Sequence, residues 1–365
     1  MKILFDHQIF DAQVFGGISR YFGTLISGLD LQKEVKVKVS VLYTENYYLK
    51  DKRVWKLGNS FGNLVFKRKN RISKWNKVYS RFCIRKDDFD IFHPTYYHPY
   101  FLKTLKKPFV LTVHDMIHEL FPEYFGPEDV TAANKKLLVA AAKHIIAISE
   151  TTRIDLMRLL DVPSEKITVV YHGHTLIKND YKPSNELPAH YILFIGGREG
   201  YKNFESLAIA VALVMKNDPE LKMVCAGGGH FSEAEITHLL NLDILDRTVQ
   251  YNVSDDMLYT MYKNAKAFVY PSLYEGFGLP ILEAFEAECP VILSKTPCFI
   301  EVAGEAAVYM NTADKKEMAA TIEMFLANET LRADLISEGK KRLQNFSMEK
   351  CLQQTMEVYS KCLLN

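Results

Sequence analysis

No run of apolar residues in this 365-residue chain approaches the roughly 18 needed to cross a bilayer as a helix. Cysteine is sparse, with six residues (Cys83, Cys225, Cys289, Cys298, Cys351, Cys362) at spacings that match neither a metal-ligand pair nor a disulfide framework. Free thiols used as small core fillers are expected, and no metal. Excess charge of one sign is also missing. Lys and Arg number 45 against 44 Asp and Glu, a formal net charge of +1, which removes any global case for nucleic acid or membrane. The opening Met1-Lys2-Ile3-Leu4-Phe5-Asp6 reads as a short strand rather than a signal peptide, so a cytoplasmic location is expected. Internal repeats and low-complexity tracts are absent. So is a dinucleotide fingerprint: Gly16-Gly17 follows the first strand only at a distance, and Gly227-Gly228-Gly229 lacks the later glycine, which argues against a nicotinamide dehydrogenase.

What is present is an alternation of short apolar strands with helical patterns, in a chain that is 48% apolar and 24% charged. Strands are expected at Lys2–Asp6, Val35–Tyr43, Ile91–His93, Phe109–Val113, His144–Ile148 and Ile167–Tyr171, and after a break at Tyr191–Ile195, Leu221–Ala226, Thr248–Asn252, Ala267–Tyr270 and Val291–Leu293. Parallel doubly wound α/β sheets read this way. The break, Lys178–Pro188, is polar and holds two prolines, as an interdomain linker does. Domains are therefore expected at 1–180 and 181–345, with a terminal helical segment at 346–365. Tandem doubly wound units bind ligands at the carboxyl ends of their strands.

The densest signal is Tyr270-Pro271-Ser272-Leu273-Tyr274-Glu275-Gly276-Phe277-Gly278-Leu279-Pro280-Ile281-Leu282-Glu283, a strand, a glycine turn and a helix start. Backbone N–H groups at a helix N-terminus hold an anion where glycines let it approach. Carboxylates on either side accept hydroxyls from sugar or ribose. Glu275 and Glu283 thus suit a nucleotide sugar; the plain alternative is a helix start with two solvated acids.

This segment resembles the donor-binding motif of the retaining glycosyltransferases of family 4, which have the two-domain GT-B fold. The likeness runs through most of the chain and is strongest from Tyr191 to Ala307. It implies two Rossmann-like domains facing a cleft, 1–180 binding the acceptor and 181–345 the donor, with the helix Ser347–Leu363 crossing back to the first. It implies that Glu275 holds sugar hydroxyls and Glu283 the ribose, with Gly276, Phe277, Gly278 and Leu279 around the donor phosphates. In Gly196-Gly197-Arg198-Glu199-Gly200-Tyr201-Lys202 it assigns the diphosphate to Gly197, Arg198 and Lys202, although the two cations stand one position closer than in the commoner family pattern. Without the glutamates they read as surface cations beside a turn. Gly16-Gly17 resembles the family's loop facing the diphosphate, with Gly17 the member named. His114, at the end of a strand, fits a histidine touching the transferred sugar, and its alternative is a structural role. Asp115 either orients His114 or caps the next turn. Val253 is an expected backbone contact to the base. His172 and His174 stand where relatives have an Asn-Gly-x-Asp turn.

The resemblance therefore implies a metal-independent hexosyltransferase using a nucleotide-diphosphate hexose and a glycan or lipid-linked acceptor in surface polysaccharide assembly, similar to bacterial mannosyltransferases. An epimerase on the same fold and a non-catalytic nucleotide-sugar binding subunit are the alternatives. A phosphorylase would need a lysine for pyridoxal phosphate, and none carries that signature.

One segment is unlike the rest. Between Lys50 and Lys86 the only acid is Asp51, and the many cations alternate with Trp55, Phe61, Phe66, Trp75, Tyr79 and Phe82. Either it lies on an anionic membrane surface or it is a solvated basic face packed by its aromatics. No nucleic-acid module accompanies it.

Overall fold

A computed structural model describes residues 1–49, 69–174, 187–252 and 255–364. They form two compact units, one of 1–173 together with the chain from Met348 onward, the other of 174–347. The predicted boundary at 180, most of the predicted linker, Val253 and the 50–68 part of the basic segment lie outside the described residues.

The first unit carries β1 (Lys2–Phe5), β2 (Lys36–Val39), β3 (Ile91–His93), β4 (Val110–Val113), β5 (His144–Ala147) and β6 (Ile167–Val169). They form parallel ladders in the orders β2-β1-β3 and β4-β5-β6. A parallel bridge from Phe92 to Phe109 joins the two, with the Phe92 N–H donating to the Pro108 carbonyl at 3.1 Å. Every residue of β3, β4 and β5 is buried, as strands with helices on both faces must be. The two-residue period of β1 sends Ile3 and Phe5 into one core and Leu4 into the other. The helix predicted over Ser347–Leu363 spans Met348–Leu364 and completes the first of these cores with Cys351, Val358, Tyr359 and Cys362. Its Tyr359 hydroxyl lies 2.6 Å from His93 Nδ1. Gly28 makes room for it, since a Cβ there would fall 2.5 Å from Leu352 Cδ1.

The second unit has one parallel sheet ordered β12-β11-β10-β7-β8-β9. Its strands are β7 (Tyr191–Ile195), β8 (Lys222–Ala226), β9 (Thr248–Tyr251), β10 (Ala267–Tyr270), β11 (Val291–Ser294) and β12 (Ala307–Met310). β12 was not expected, although Ala306–Met310 is an unbroken apolar run; three of its four residues are only half-buried at the sheet edge. Strand order reverses where β7 meets β10, the point at which open α/β sheets open a crevice beyond their carboxyl ends. All six cysteines are free and buried. Among the described residues no helix is long and apolar enough to cross a membrane.

Candidate active site

The loops that leave β7 and β10 are neighbours because their strands are. The Leu273 N–H donates to the Tyr201 carbonyl at 2.8 Å, and Asn203 Nδ2 donates to the Pro271 carbonyl at 3.2 Å. Asn203 adopts a left-handed conformation at φ 59°, turning the first loop into its helix. The consequence is a contact between loops: Lys202 Nζ lies 2.6 Å from Glu275 Oε1, both side chains mostly shielded. The ammonium also sits 5.6 Å from the centre of the Tyr270 ring. Burial, and then the charge of Glu275, hold the Tyr270 phenol well above its ordinary range, so it stays a neutral donor.

Beyond Glu275 the backbone turns at Gly278, with φ 98° and ψ 54°, directly into the helix Leu279–Glu286. A Cβ at Gly278 would lie 3.0 Å from Ile281 Cδ1 and force a left-handed non-glycine residue. Pro280 occupies the first turn, where its missing N–H costs nothing, and no side chain caps this end. The dipole therefore points its positive end at the glycine turn beside Lys202 and Glu275. Glu283 is held half a helix further on, accepting from the Tyr262 hydroxyl at 3.0 Å. Burial and the Glu283 charge push that phenol well above its ordinary range.

Arg198 points elsewhere. Its side chain is 2% exposed, and Nε donates to Glu235 Oε1 at 2.6 Å. Nη1 donates to the Gly227 carbonyl at 3.0 Å, and Nη2 to those of Gly229 and His230 at 3.0 Å each. The loop after β8 can wrap the guanidinium because Gly227, Gly228 and Gly229 all have positive φ. A Cβ at Gly228 would lie 2.7 Å from Arg198 Nη1. Gly197 sits in open space beside it.

In the first unit, Gly17 begins the helix Gly17–Asp30, whose start is capped from outside when Gln13 Oε1 accepts from the Ser19 N–H at 3.1 Å. His114 directly follows β4, 4% exposed, between the rings of Tyr21 (5.4 Å), Phe22 (5.7 Å) and His172 (6.1 Å, stacked). Neither of its ring nitrogens has a hydrogen-bond partner among the described residues. Burial drives its pKa down to about 3, so the ring is neutral. His174 belongs to the second unit, where its Nε2 lies 2.7 Å from Glu286 Oε2.

Residues 178–342 match the family described as Glycosyl transferases group 1, and residues 15–176 match Glycosyltransferase Family 4. The O-antigen chain mannosyltransferase B of Escherichia coli is 30% identical over 287 residues, covering 74% of each chain. The chain belongs to the family 4 glycosyltransferases. The O-antigen chain mannosyltransferase RfbU of Salmonella typhimurium is 32% identical over 214 residues, 58% of this chain and 59% of that one. The fold is GT-B: Anabaena HepE, solved with UDP and glucose, superposes with a TM-score of 0.76 over 99% of this chain and 100% of its own, at 18% identity. Sucrose-phosphate synthase of Thermosynechococcus elongatus gives 0.73 over 99% and 98%, also at 18% identity.

Within this glycosyltransferase, the predicted residues fall into three groups. Lys202, Glu275, Gly276, Phe277, Gly278, Leu279 and Glu283 share one corner of the second unit, and Lys202 reaches Glu275 despite the short spacing. Arg198 departs from its expected place as an open diphosphate ligand, because its donors are occupied by Glu235 and a glycine turn. Gly17 and His114 lie in the first unit. Asp115 caps the next turn, its Oδ1 accepting from the Ile117 N–H at 3.1 Å. Sequence reasoning missed Tyr262, Tyr270 and Glu235. The two tyrosines follow apolar patterns that mark them only as core, and Glu235 reads as half of the capping box with Ser232 that it also forms.

Proposed function

We propose that the enzyme moves a hexose from a nucleotide-diphosphate sugar to a hydroxyl of a glycan or lipid-linked acceptor in surface polysaccharide assembly, with retention at the anomeric carbon and without a metal. The observation that carries this reading is the Lys202–Glu275 pair at 2.6 Å beside an uncapped helix N-terminus, at the carboxyl ends of two adjacent strands. A leaving diphosphate gains negative charge as its bond to the sugar breaks. Lys202 and the helix N-terminus stabilise that charge, while Glu275 accepts from hexose hydroxyls and Glu283 from the ribose. The diphosphate oxygen takes the acceptor's proton on the same face, which leaves the anomeric configuration unchanged. His114 is assigned to the hexose, and the Gly17 and Gly197 backbone to the diphosphate. Mannose is the first hexose to test, because both O-antigen relatives named above are mannosyltransferases.

The helix Lys69–Lys86 supports a site of action at the inner face of a membrane. Trp75, Val78 and Phe82, spaced by three and four, are 56%, 57% and 51% exposed, while Asn76, Ser80, Cys83 and Ile84 face inward. Apolar rings pointing outward from a helix without acids fit an anionic lipid surface.

Thermal-shift screening against nucleoside diphosphates and their sugars tests the donor, since a ligand of the folded state raises Tm. A shift with GDP-mannose or another hexose donor, and transfer that survives EDTA, is the expected result. Conversion of the donor sugar without acceptor would point to an epimerase instead.

A further inference from the structure

Lys135 is 0% exposed, on a helix face it shares with Leu138 and Val139. A lysine is buried only where its charge is met. Here Nζ lies 2.8 Å from Glu119 Oε2, 2.8 Å from the Asp115 carbonyl oxygen and 5.1 Å from the centre of the Tyr97 ring. The Tyr97 hydroxyl in turn accepts from the His114 N–H at 2.9 Å. The backbone of His114 and Asp115 is therefore gripped twice, by a phenol on one side and by a buried ammonium on the other.

The grip matters because the His114 imidazole has no hydrogen bond among the described residues to orient it. Its place is set by the surrounding rings and by the backbone that carries it. We infer that Lys135, with Glu119 and Tyr97, is a positioning group that fixes where His114 presents its ring to the sugar. The inference rests on the assignment of His114 to the hexose made above. Lys135 contributes no proton and touches no reacting atom; Glu119 pairs with it and holds it in place, and the Asp115 carbonyl receives the directed N–H.

Two variants separate positioning from mere stability. Replacing a buried ion pair by apolar groups of similar volume is often neutral for folding, so Lys135→Met/Glu119→Met is expected to keep its Tm within a few degrees. Tyr97→Phe removes only the hydroxyl. In the imidazole carbon-proton spectrum, each variant is expected to move or broaden the His114 Cε1–Hε1 signal and to leave that of His144 in place. Release of nucleoside diphosphate from GDP-mannose, UDP-glucose and UDP-N-acetylglucosamine is followed in parallel. Turnover of the substrate used is expected to fall at least tenfold in the double variant, and adding His114→Ala to it is expected to cause little further loss.

An unmoved His114 signal overturns the inference, as does a moved signal with turnover kept within twofold. Full turnover by His114→Ala alone also overturns it, by removing the assignment of His114, while Lys202→Ala still reports on the donor site independently.

Discussion

Lys202 Nζ and Glu275 Oε1 stand 2.6 Å apart across 73 residues of sequence, brought together because β7 and β10 are adjacent strands. Under the function proposed above, each side chain is a different instrument for the same ligand, a cation for the phosphates and a carboxylate for hydroxyls. Glu275→Gln and Lys202→Ala are each expected to lower kcat/KM by about 10²-fold or more, as removal of one transition-state charge partner does. The double variant should lose much less than the product of the two. Steady-state kinetics with the donor found by thermal shift decides this, and strictly multiplicative losses would show that the pair does not act together.

Arg198 is expected to behave differently from Lys202. Removing it leaves Glu235 and the carbonyls of Gly227, Gly228, Gly229 and His230 without their cation, so Arg198→Met should cost about 3–5 kcal/mol in folding stability. Urea unfolding of the two variants side by side tests the contrast: Lys202→Ala loses turnover with its midpoint nearly intact, whereas Arg198→Met loses its midpoint first.

Gly278→Ala places a Cβ at φ 98° and 3.0 Å from Ile281 Cδ1. A loss of about 1–3 kcal/mol is expected from the backbone conformation alone, along with weaker nucleotide binding as the helix start shifts. Gly126→Ala is the control, since a Cβ there meets nothing within 4 Å. Equal Tm values for the two variants would count against the turn geometry described.

Acid should weaken the fold through its buried histidines. Burial lowers the pKa of His93 and His114 to about 3 and holds that of His172 well below its ordinary value. Each stays neutral in the folded state while the unfolded chain takes up a proton below about pH 6.5. Stability therefore falls as pH drops from 6.5 toward 4. Asp11 opposes them: burial raises its pKa to about 7, so the folded state binds that proton first, and its contribution shrinks as pH rises through 7. His144, lowered to about 4, and His7, lowered by burial, act in the same direction as the other three, so near pH 5 the histidines outweigh the single proton of Asp11 and stability falls with pH. Urea midpoints at pH 7, 6 and 5 measure the fall, and His114→Gln should make it shallower by about one proton's worth, roughly 1.4 kcal/mol per pH unit.

The exposed strip on the helix Lys69–Lys86 predicts binding to vesicles of phosphatidylglycerol, weakened by salt, and little binding to phosphatidylcholine. Trp75→Ser/Phe82→Ser should reduce the bound fraction severalfold in a sedimentation assay. Equal binding by the variant would return the helix to an ordinary basic face.

Strands buried on both faces were legible because they read as unbroken apolar runs; β10, Ala-Phe-Val-Tyr, is the plainest. Edge strands were less so: β2, Lys-Val-Lys-Val, shrank from Val35–Tyr43 to Lys36–Val39 because half-buried residues tolerate mixed chemistry, whereas β12 went unmarked although Ala-Val-Tyr-Met is wholly apolar. The glycine turn and both glutamates could be placed from sequence because the strand, turn and helix are contiguous. The surroundings of Arg198 could not, as its partner Glu235 lies 37 positions away and is chosen by the curl of another loop. Nor could Lys135, whose burial depends on an acid reached only through the fold.

The helix Met348–Leu364 supplies Cys351, Val358, Tyr359 and Cys362 to a core whose other members lie before residue 171. During synthesis, the first unit to begin emerging from the ribosome is thus the last to finish. Its partner, continuous from 174 to 347, has its whole sheet available while the first still waits for that helix. A stalled or truncated chain ending before Met348 would then carry a folded second unit and leave bare the apolar surface on β5 and the helix Gly17–Asp30 that this helix covers, a product marked by exposed surface rather than by lost activity.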